Sequence, residues 1–352
     1  VYKRQRRSPA PTPPPAERVE DRGPVISTDA LSTTTALTDA PLDRSLHLRT
    51  LLAEHARNPV AVARYERDLR VMAQLDHPGV PSVIARHGEG AYTLRAHDGR
   101  PLSSVIAEVR ASFEAKRPVP ASLQPIVLLE RFARACEVVA YAHSRGLVHR
   151  DLNPQNLLFG GHGGVWIVGW GSSRAFGPPA PEPVHLDPLD EDARTQTGTP
   201  GYCSPEQANG RTADLDARSD VYSLGLLLFE LLTLRPAVTG ASPSVRLTRQ
   251  QAAQIDPVVH FYRQPIEPPF HAILATALAV HPADRYASPS TLAEDVRRAI
   301  RGAPLTGRRE GPGLIVGRLY GRHPAVVTIV MTSLFVAWAA TAAALVTGLT
   351  VR

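Results

Sequence analysis

Strand-like and helix-like patterns are segregated along this chain, and that segregation limits the folds open to it. Strand-like segments such as SLHLRTL and YTLRA lie mainly in the first hundred residues, with VWIVGW as a later one. Helical periodicity begins at residues 60–75, where Val62, Tyr65, Leu69 and Met72 fall on one face. It dominates afterwards, over residues 123–143 and the nearly continuous apolar run 221–234. Strands first and helices later argue an α+β body, not an alternating βαβ sheet.

From 324 to 351 no residue carries a charge. About 20 apolar residues cross the hydrocarbon core of a bilayer, so this run predicts a transmembrane helix with some tilt. Arg297, Arg298, Arg301, Arg308, Arg309, Arg318 and Arg322 precede it, and only Arg352 follows. The positive-inside bias then puts the body of the chain in the cytoplasm, anchored to the cell membrane by a single pass. Residues 304–323 form a basic juxtamembrane linker. At the other end, residues 1–24 are rich in Pro and charge with little to bury, and read as a disordered leader. The chain opens on Val1, as a piece of a longer or processed protein would. Two cysteines far apart, Cys136 and Cys203, exclude a disulfide scaffold and fit a reducing compartment. No Cys/His cluster has zinc spacing, so no metal site is expected from such residues. The net charge of +6 is carried almost wholly by arginine, since only Lys3 and Lys116 are lysines. That mild balance gives no reason to expect a nucleic-acid partner.

Four short runs follow in a fixed order: HRDLNPQN from His149, GTPGYCSPEQ from Gly198, DARSDVYSLG from Asp216 and HPADRY from His281. In this order they resemble the catalytic domain of bacterial, Hanks-type serine/threonine protein kinases, over roughly residues 25–303. LDHPGV at Leu75 and DAPLDR at Asp39 extend the likeness towards the N-terminus. The resemblance implies a two-lobed kinase-like fold. A sheet-bearing lobe over 25–100 with one helix would hinge near 95–101 to a helical lobe over 101–303.

It also implies roles. Asp151 matches the carboxylate that orients a substrate hydroxyl and accepts its proton, and Asn156 matches a magnesium ligand. Asp220 matches a buried aspartate bracing the catalytic-loop backbone. Glu206 and Arg285 match an ion pair at the end of the activation segment. His149, Met72 and Trp170 match members of an apolar stack. The segment up to Cys203 holds Thr195 and Thr197, which are either solvated loop hydroxyls or phosphorylation sites whose phosphate would pair with Arg150. Thr199 matches the family's structural threonine.

Several matching positions have changed. The three glycines of the phosphate-covering loop fall on Ser27, Asp29 and Ser32, and no glycine occurs between Gly23 and Gly79. A side chain there keeps the backbone from approaching phosphates closely, and Asp29 adds a negative charge. The phosphate-binding lysine corresponds to Arg49, whose planar fork differs from a compact ammonium. His47 stands where the family places a small alanine against adenine. The glutamate that pairs with the lysine corresponds to Asp68, one methylene shorter, and an Arg49–Asp68 pair can still form with similar combined reach. The DFG triplet reads Gly169-Trp170-Gly171, without the carboxylate that a hard cation needs, and no Asp or Glu occurs from 157 to 181. Asn153 stands in the catalytic loop where the family has a lysine.

These departures imply a membrane-anchored pseudokinase, a scaffold or regulator whose partners are the membrane and other signalling proteins or kinases, with no cofactor expected. The alternative is an active transmembrane kinase that uses ATP and magnesium to phosphorylate protein hydroxyls.

Overall fold

The structure, a computed structural model, describes residues 22–88, 90–177, 180–186, 198–211 and 215–306, with 328–330, 332, 333, 336 and 338 beyond them. The chain divides into two compact units, one of residues 1–65 with 83–96 and one of 66–82 with 97–352. The division falls inside a helix and at 96/97, whereas the sequence suggested lobes of 25–100 and 101–303.

The first unit holds an antiparallel sheet in the order β1-β2-β3-β5-β4. Its strands are β1 (Arg22–Thr28), β2 (Ser32–Asp39), β3 (Arg44–Leu51), β4 (Val83–Arg86) and β5 (Ala91–Arg95). Strand β1 starts three residues before the expected lobe boundary because Arg22 pairs with Leu37. The run of threonines in β2 suits a pleated, half-buried surface. In β3, Leu46 and Leu48 alternate with His47 and Arg49, and all four are buried. Both faces of this central strand are therefore covered, which period-two alternation alone does not reveal. The start of α1 (Pro59–Gln74) belongs here through Tyr65, whose hydroxyl donates to the Arg49 carbonyl at 2.8 Å and whose ring lies 5.2 Å from that of Tyr92.

The second unit is helical, with α2 (Leu102–Glu114), α3 (Pro125–Ser144), α4 (Pro205–Ala208), α5 (Ala217–Thr233), α6 (Pro243–Gln251), α7 (Pro268–Ala277) and α8 (Pro289–Ile300). Helix α5 is buried nearly all round, as its continuous apolar run requires. It starts where the Asp216 side chain accepts the Arg218 N–H at 2.7 Å. Helix α8 opens with a reciprocal cap between Ser288 and Thr291. Short strands frame the loops that matter for function. These are β6 (Arg100–Pro101), β8 (Leu157–Phe159) and β9 (Val165–Ile167) in one sheet, and β7 (Leu147–Val148) with β10 (Arg174–Ala175) in another. Of the VWIVGW segment only the first three residues pair as strand; Trp170 begins a helical turn.

Among the described residues no helix is long and apolar enough to cross a membrane. Most of the charge-free run 324–351 lies outside the described residues, as do residues 1–21 and most of the linker.

Candidate active site

In the first unit Asp29 and Ser32, two of the three positions that the resemblance matched to a glycine loop, lie at the tip of the β1–β2 hairpin. Asp29 Oδ1 accepts the backbone N–H groups of Leu31 and Ser32, each at 2.8 Å, an Asx turn that fixes the tip. Its Oδ2 accepts from Ser32 Oγ at 3.0 Å and from Arg49 Nη2 at 2.7 Å. Arg49 Nε donates to Ser32 Oγ at 2.7 Å. The guanidinium at the lysine position is thus engaged by two of the three residues at the glycine positions. Register brings them together, because Thr34 pairs with Arg49 across β2 and β3, and Ser32 pairs with Leu51. Ser27 pairs with Thr34 on the exposed strand and is not in this network. The arginine is nearly buried but Asp29 keeps 44% of its side-chain exposure, so water screens their attraction. His47 is buried, and that burial lowers its pKa.

In the second unit the catalytic-loop residues come together. Asp220 Oδ2 accepts the His149 N–H and His143 Nε2, both at 2.8 Å, and Oδ1 accepts the Arg150 N–H at 3.0 Å. Burial alone would raise the Asp220 pKa; the hydrogen bond and charge of His143, with the His149 N–H, hold it below the ordinary range. Arg150 takes a positive φ of 68°, and Gln207 Nε2 donates to its carbonyl. Glu206 and Arg285 pair in two parallel bonds, 2.7 and 2.9 Å. Ser219 Oγ adds a bond to Glu206 at 2.8 Å. Burial opposes ionisation of Glu206, but these donors hold its pKa down.

Asp151 Oδ1 accepts from Thr199 Oγ1 at 2.7 Å and from Asn153 Nδ2 at 3.1 Å. Asn153 Oδ1 accepts the N–H groups of Gln155 and Asn156, so the residue at the lysine position shapes the loop. Asn156 Nδ2 donates to the Asp151 carbonyl at 2.8 Å. Gly169 has φ of 81°, and a Cβ there would sit 2.5 Å from Asn156 Nδ2 and 2.6 Å from its Cγ and Oδ1. The amide of one matched metal ligand therefore fills the space that a side chain at the other would need. Magnesium needs oxygen from both positions. The residues present do not complete a site for it: Gly169 supplies no side-chain oxygen, although Asn156, whose Nδ2 donates to the Asp151 carbonyl, keeps its Oδ1 for a cation.

Asp68 accepts the Trp170 N–H at 2.7 Å. Trp170 is wholly buried, its Nε1 donates to the Ile167 carbonyl at 3.1 Å, and its ring centroid lies 4.5 Å from that of His149. His149 Nε2 lies 3.0 Å from the Val168 carbonyl and Nδ1 accepts the Asp151 N–H at 3.2 Å, which assigns the proton to Nε2. Met72 is also buried. Thr195 and Thr197 lie outside the described residues. Sequence reasoning passed over His143 and the Tyr202–Glu230 bond, 2.6 Å, in which burial raises both groups' pKa. His143, six residues before His149 at the end of an apolar helix, carried a usable signal; Glu230 carried none.

Taken with this geometry, comparison with known proteins places the chain in the protein kinase family. The model of the protein kinase domain matches residues 58–296, a range that begins after β3. Similar bacterial proteins include "Probable serine/threonine-protein kinase SCO3848" of Streptomyces coelicolor, 31% identical over 86% of this chain and 43% of that protein. Serine/threonine-protein kinase PknB of Mycobacterium leprae is 31% identical over 83% of this chain and 45% of its own. Serine/threonine-protein kinase PknD of Chlamydia pneumoniae is 30% identical over 76% and 29%. The chain spans less than half the length of each of these relatives.

Proposed function

We propose that this protein is a catalytically silent kinase-family member that works as a signalling scaffold or regulator. Residues 324–351 would hold it at the cell membrane by a single pass, with the kinase-like part in the cytoplasm and other signalling proteins or kinases as partners. The observation that carries the reading is Gly169, which brings no oxygen for magnesium and leaves its side-chain space to Asn156. The engagement of Arg49 by Asp29 and Ser32 supports it from the other unit. Phosphoryl transfer depends on positioning and neutralising phosphate charge, and these are the groups that would do it. Magnesium-ATP is therefore expected to leave thermal unfolding unchanged, whereas a ligand at a hundred times its Kd would add about 2.7 kcal/mol. A magnesium-dependent shift would refute the reading.

A second reading, an active transmembrane kinase transferring the ATP γ-phosphate to protein hydroxyls, is favoured by Asp151, whose carboxylate keeps its bond to Thr199. With radiolabelled ATP, wild type and Asp151→Asn should give equal blanks. A wild-type signal that falls by about 10²–10⁴ in Asp151→Asn would establish the second reading instead.

The membrane anchor is supported by the described residues of the charge-free run. Those at 328–330, 332, 333, 336 and 338 are helical, Ile329, Val336 and Trp338 are exposed, and Thr332 Oγ1 bonds back to the Thr328 carbonyl at 2.7 Å. A reporter fused after Arg352 should be active only outside the cytoplasm; cytoplasmic activity would exclude this topology.

A further inference from the structure

The end of α8 is closed in a way that turns the chain back along the helix. Gly302 takes a positive φ of 63°, its N–H donates to the Ala299 carbonyl at 3.0 Å, and the Ala303 N–H donates to the Arg298 carbonyl at 2.8 Å. This pair of bonds stops the helix and reverses the chain, and Pro304 cannot resume it. Arg298 Nη1 also donates to the Pro304 carbonyl at 3.2 Å. The returning chain brings Thr306 against Asp295, eleven residues earlier on α8. There Asp295 Oδ1 accepts the Thr306 N–H at 2.6 Å and the Thr306 hydroxyl at 2.5 Å.

Asp295 is only 1% exposed, so its carboxylate relies on the donors around it. Its Oδ2 accepts from the Tyr286 hydroxyl at 2.9 Å. Among the described residues every hydrogen-bond donor to it is neutral, and two of the three belong to Thr306. Thr306 is itself exposed, and its hydroxyl proton is what lets it meet a buried carboxylate. Replacing that proton by a phosphoryl group would set about two negative charges against Asp295, and like charges at such a site repel.

We propose that Thr306 and Asp295 form a latch that fixes where the chain leaves the second unit, and that Thr306 is a phosphorylation site whose phosphate opens it. In that step Thr306 Oγ1 forms a bond to the γ-phosphorus of ATP as the bond to the bridging oxygen breaks. ADP leaves, and the hydroxyl proton passes to the base of a serine/threonine kinase acting in trans. The kinase meets Thr306 in a minor open state, and the phosphate then keeps the latch from closing. Opening frees residues 303–306, up to about 13 Å of extended chain, for whatever follows them. The latch uses none of the catalytic-loop residues and stands whether or not this chain transfers phosphate or spans a membrane.

The test follows amide hydrogen exchange at residue 306 in the full chain. In the unmodified chain this N–H should exchange at least about tenfold more slowly than an unstructured amide, since it is bonded to a charged group. Thr306→Ser keeps both donors and should match wild type. Thr306→Glu should speed exchange by at least about tenfold while the middle of α8 stays protected. Thr306→Val removes the hydroxyl without adding charge; it should give a smaller rise and keeps the test alive if Thr306→Glu fails to fold. Mass spectrometry of the chain purified from its own cells should find phosphate on Thr306, and a phosphatase should return exchange to the unmodified rate. An unprotected amide at Thr306 in the unmodified chain, or exchange indifferent to both Thr306→Glu and Thr306→Val, would overturn the latch. Absence of phosphate from Thr306 would overturn its assignment as a phosphorylation site.

Discussion

Asp220 and Asp29 are both aspartates that gather backbone N–H groups, yet they do opposite things for their units. Asp220 is buried and reaches groups some seventy residues away, at His149, Arg150 and His143, so it joins a helix to a loop. Asp29 is partly exposed and satisfies Leu31 and Ser32, two and three residues on, before closing on Arg49. The first arrangement preserves a framework. The second turns the groups at a phosphate-handling position inward. On the proposed reading, one unit keeps the family's architecture while the other has lost the family's chemistry, because folding selects the first and only turnover selects the second.

The largest expected effect tests the framework. Glu206→Ala leaves Arg285 buried and unpaired, and should cost about 3–5 kcal/mol in denaturant unfolding. Acid titration sharpens this. Glu206 and Asp220 both have pKa values held below the ordinary range, so their contribution is complete above the unfolded carboxylate value of about 4 and is lost as pH falls through the folded values. Glu206→Ala should flatten that acid limb. A loss under about 1 kcal/mol, or an unchanged acid limb, would break the contrast.

Next comes Gly169→Asp, the change that restores a missing carboxylate. It must displace the Asn156 amide and hold a side chain at φ of 81°, so it should destabilise by about 1–3 kcal/mol. It should leave phosphate transfer at background, because the first unit is unchanged. Activity gained from this single substitution would show that the carboxylate was the only obstacle.

The smallest effect belongs to the hairpin tip. Asp29→Ala should cost only about 1 kcal/mol in thermal unfolding, since its bonds are local and partly in water. It should also remove one of the groups that engage Arg49, so tripolyphosphate should bind more tightly than to wild type. No change in anion binding would mean that Asp29 does not govern Arg49.

The kinase-like body was legible because its motifs are short and ordered, and because α1, α3 and α5 announce themselves by apolar periodicity. The expected helix at residues 60–75 is α1, Pro59–Gln74, and the run 123–143 is α3, Pro125–Ser144. What stayed hidden were choices between partners. The sequence offered Asp68 as a residue that can pair with Arg49, and nothing in its spacing said that Asp29 would also engage that guanidinium. Nor could it say that Asp68 would accept a backbone N–H from Trp170, more than a hundred residues on. Such bonds depend on which elements pack together, not on periodicity. The Asn156 amide beside Gly169 is hidden for the same reason, since a missing side chain leaves no trace of what fills its space.

The Asx turn at residues 29–32 has one more consequence. A glycine-rich tip gives up chain entropy when it closes over a ligand, and that cost couples ligand binding to a change of state. Here the tip is already ordered by its own carboxylate, so little disorder remains for a ligand to remove. On the proposed reading its sheet would present the same surface before and after an encounter, a fixed contact rather than a gauge of nucleotide.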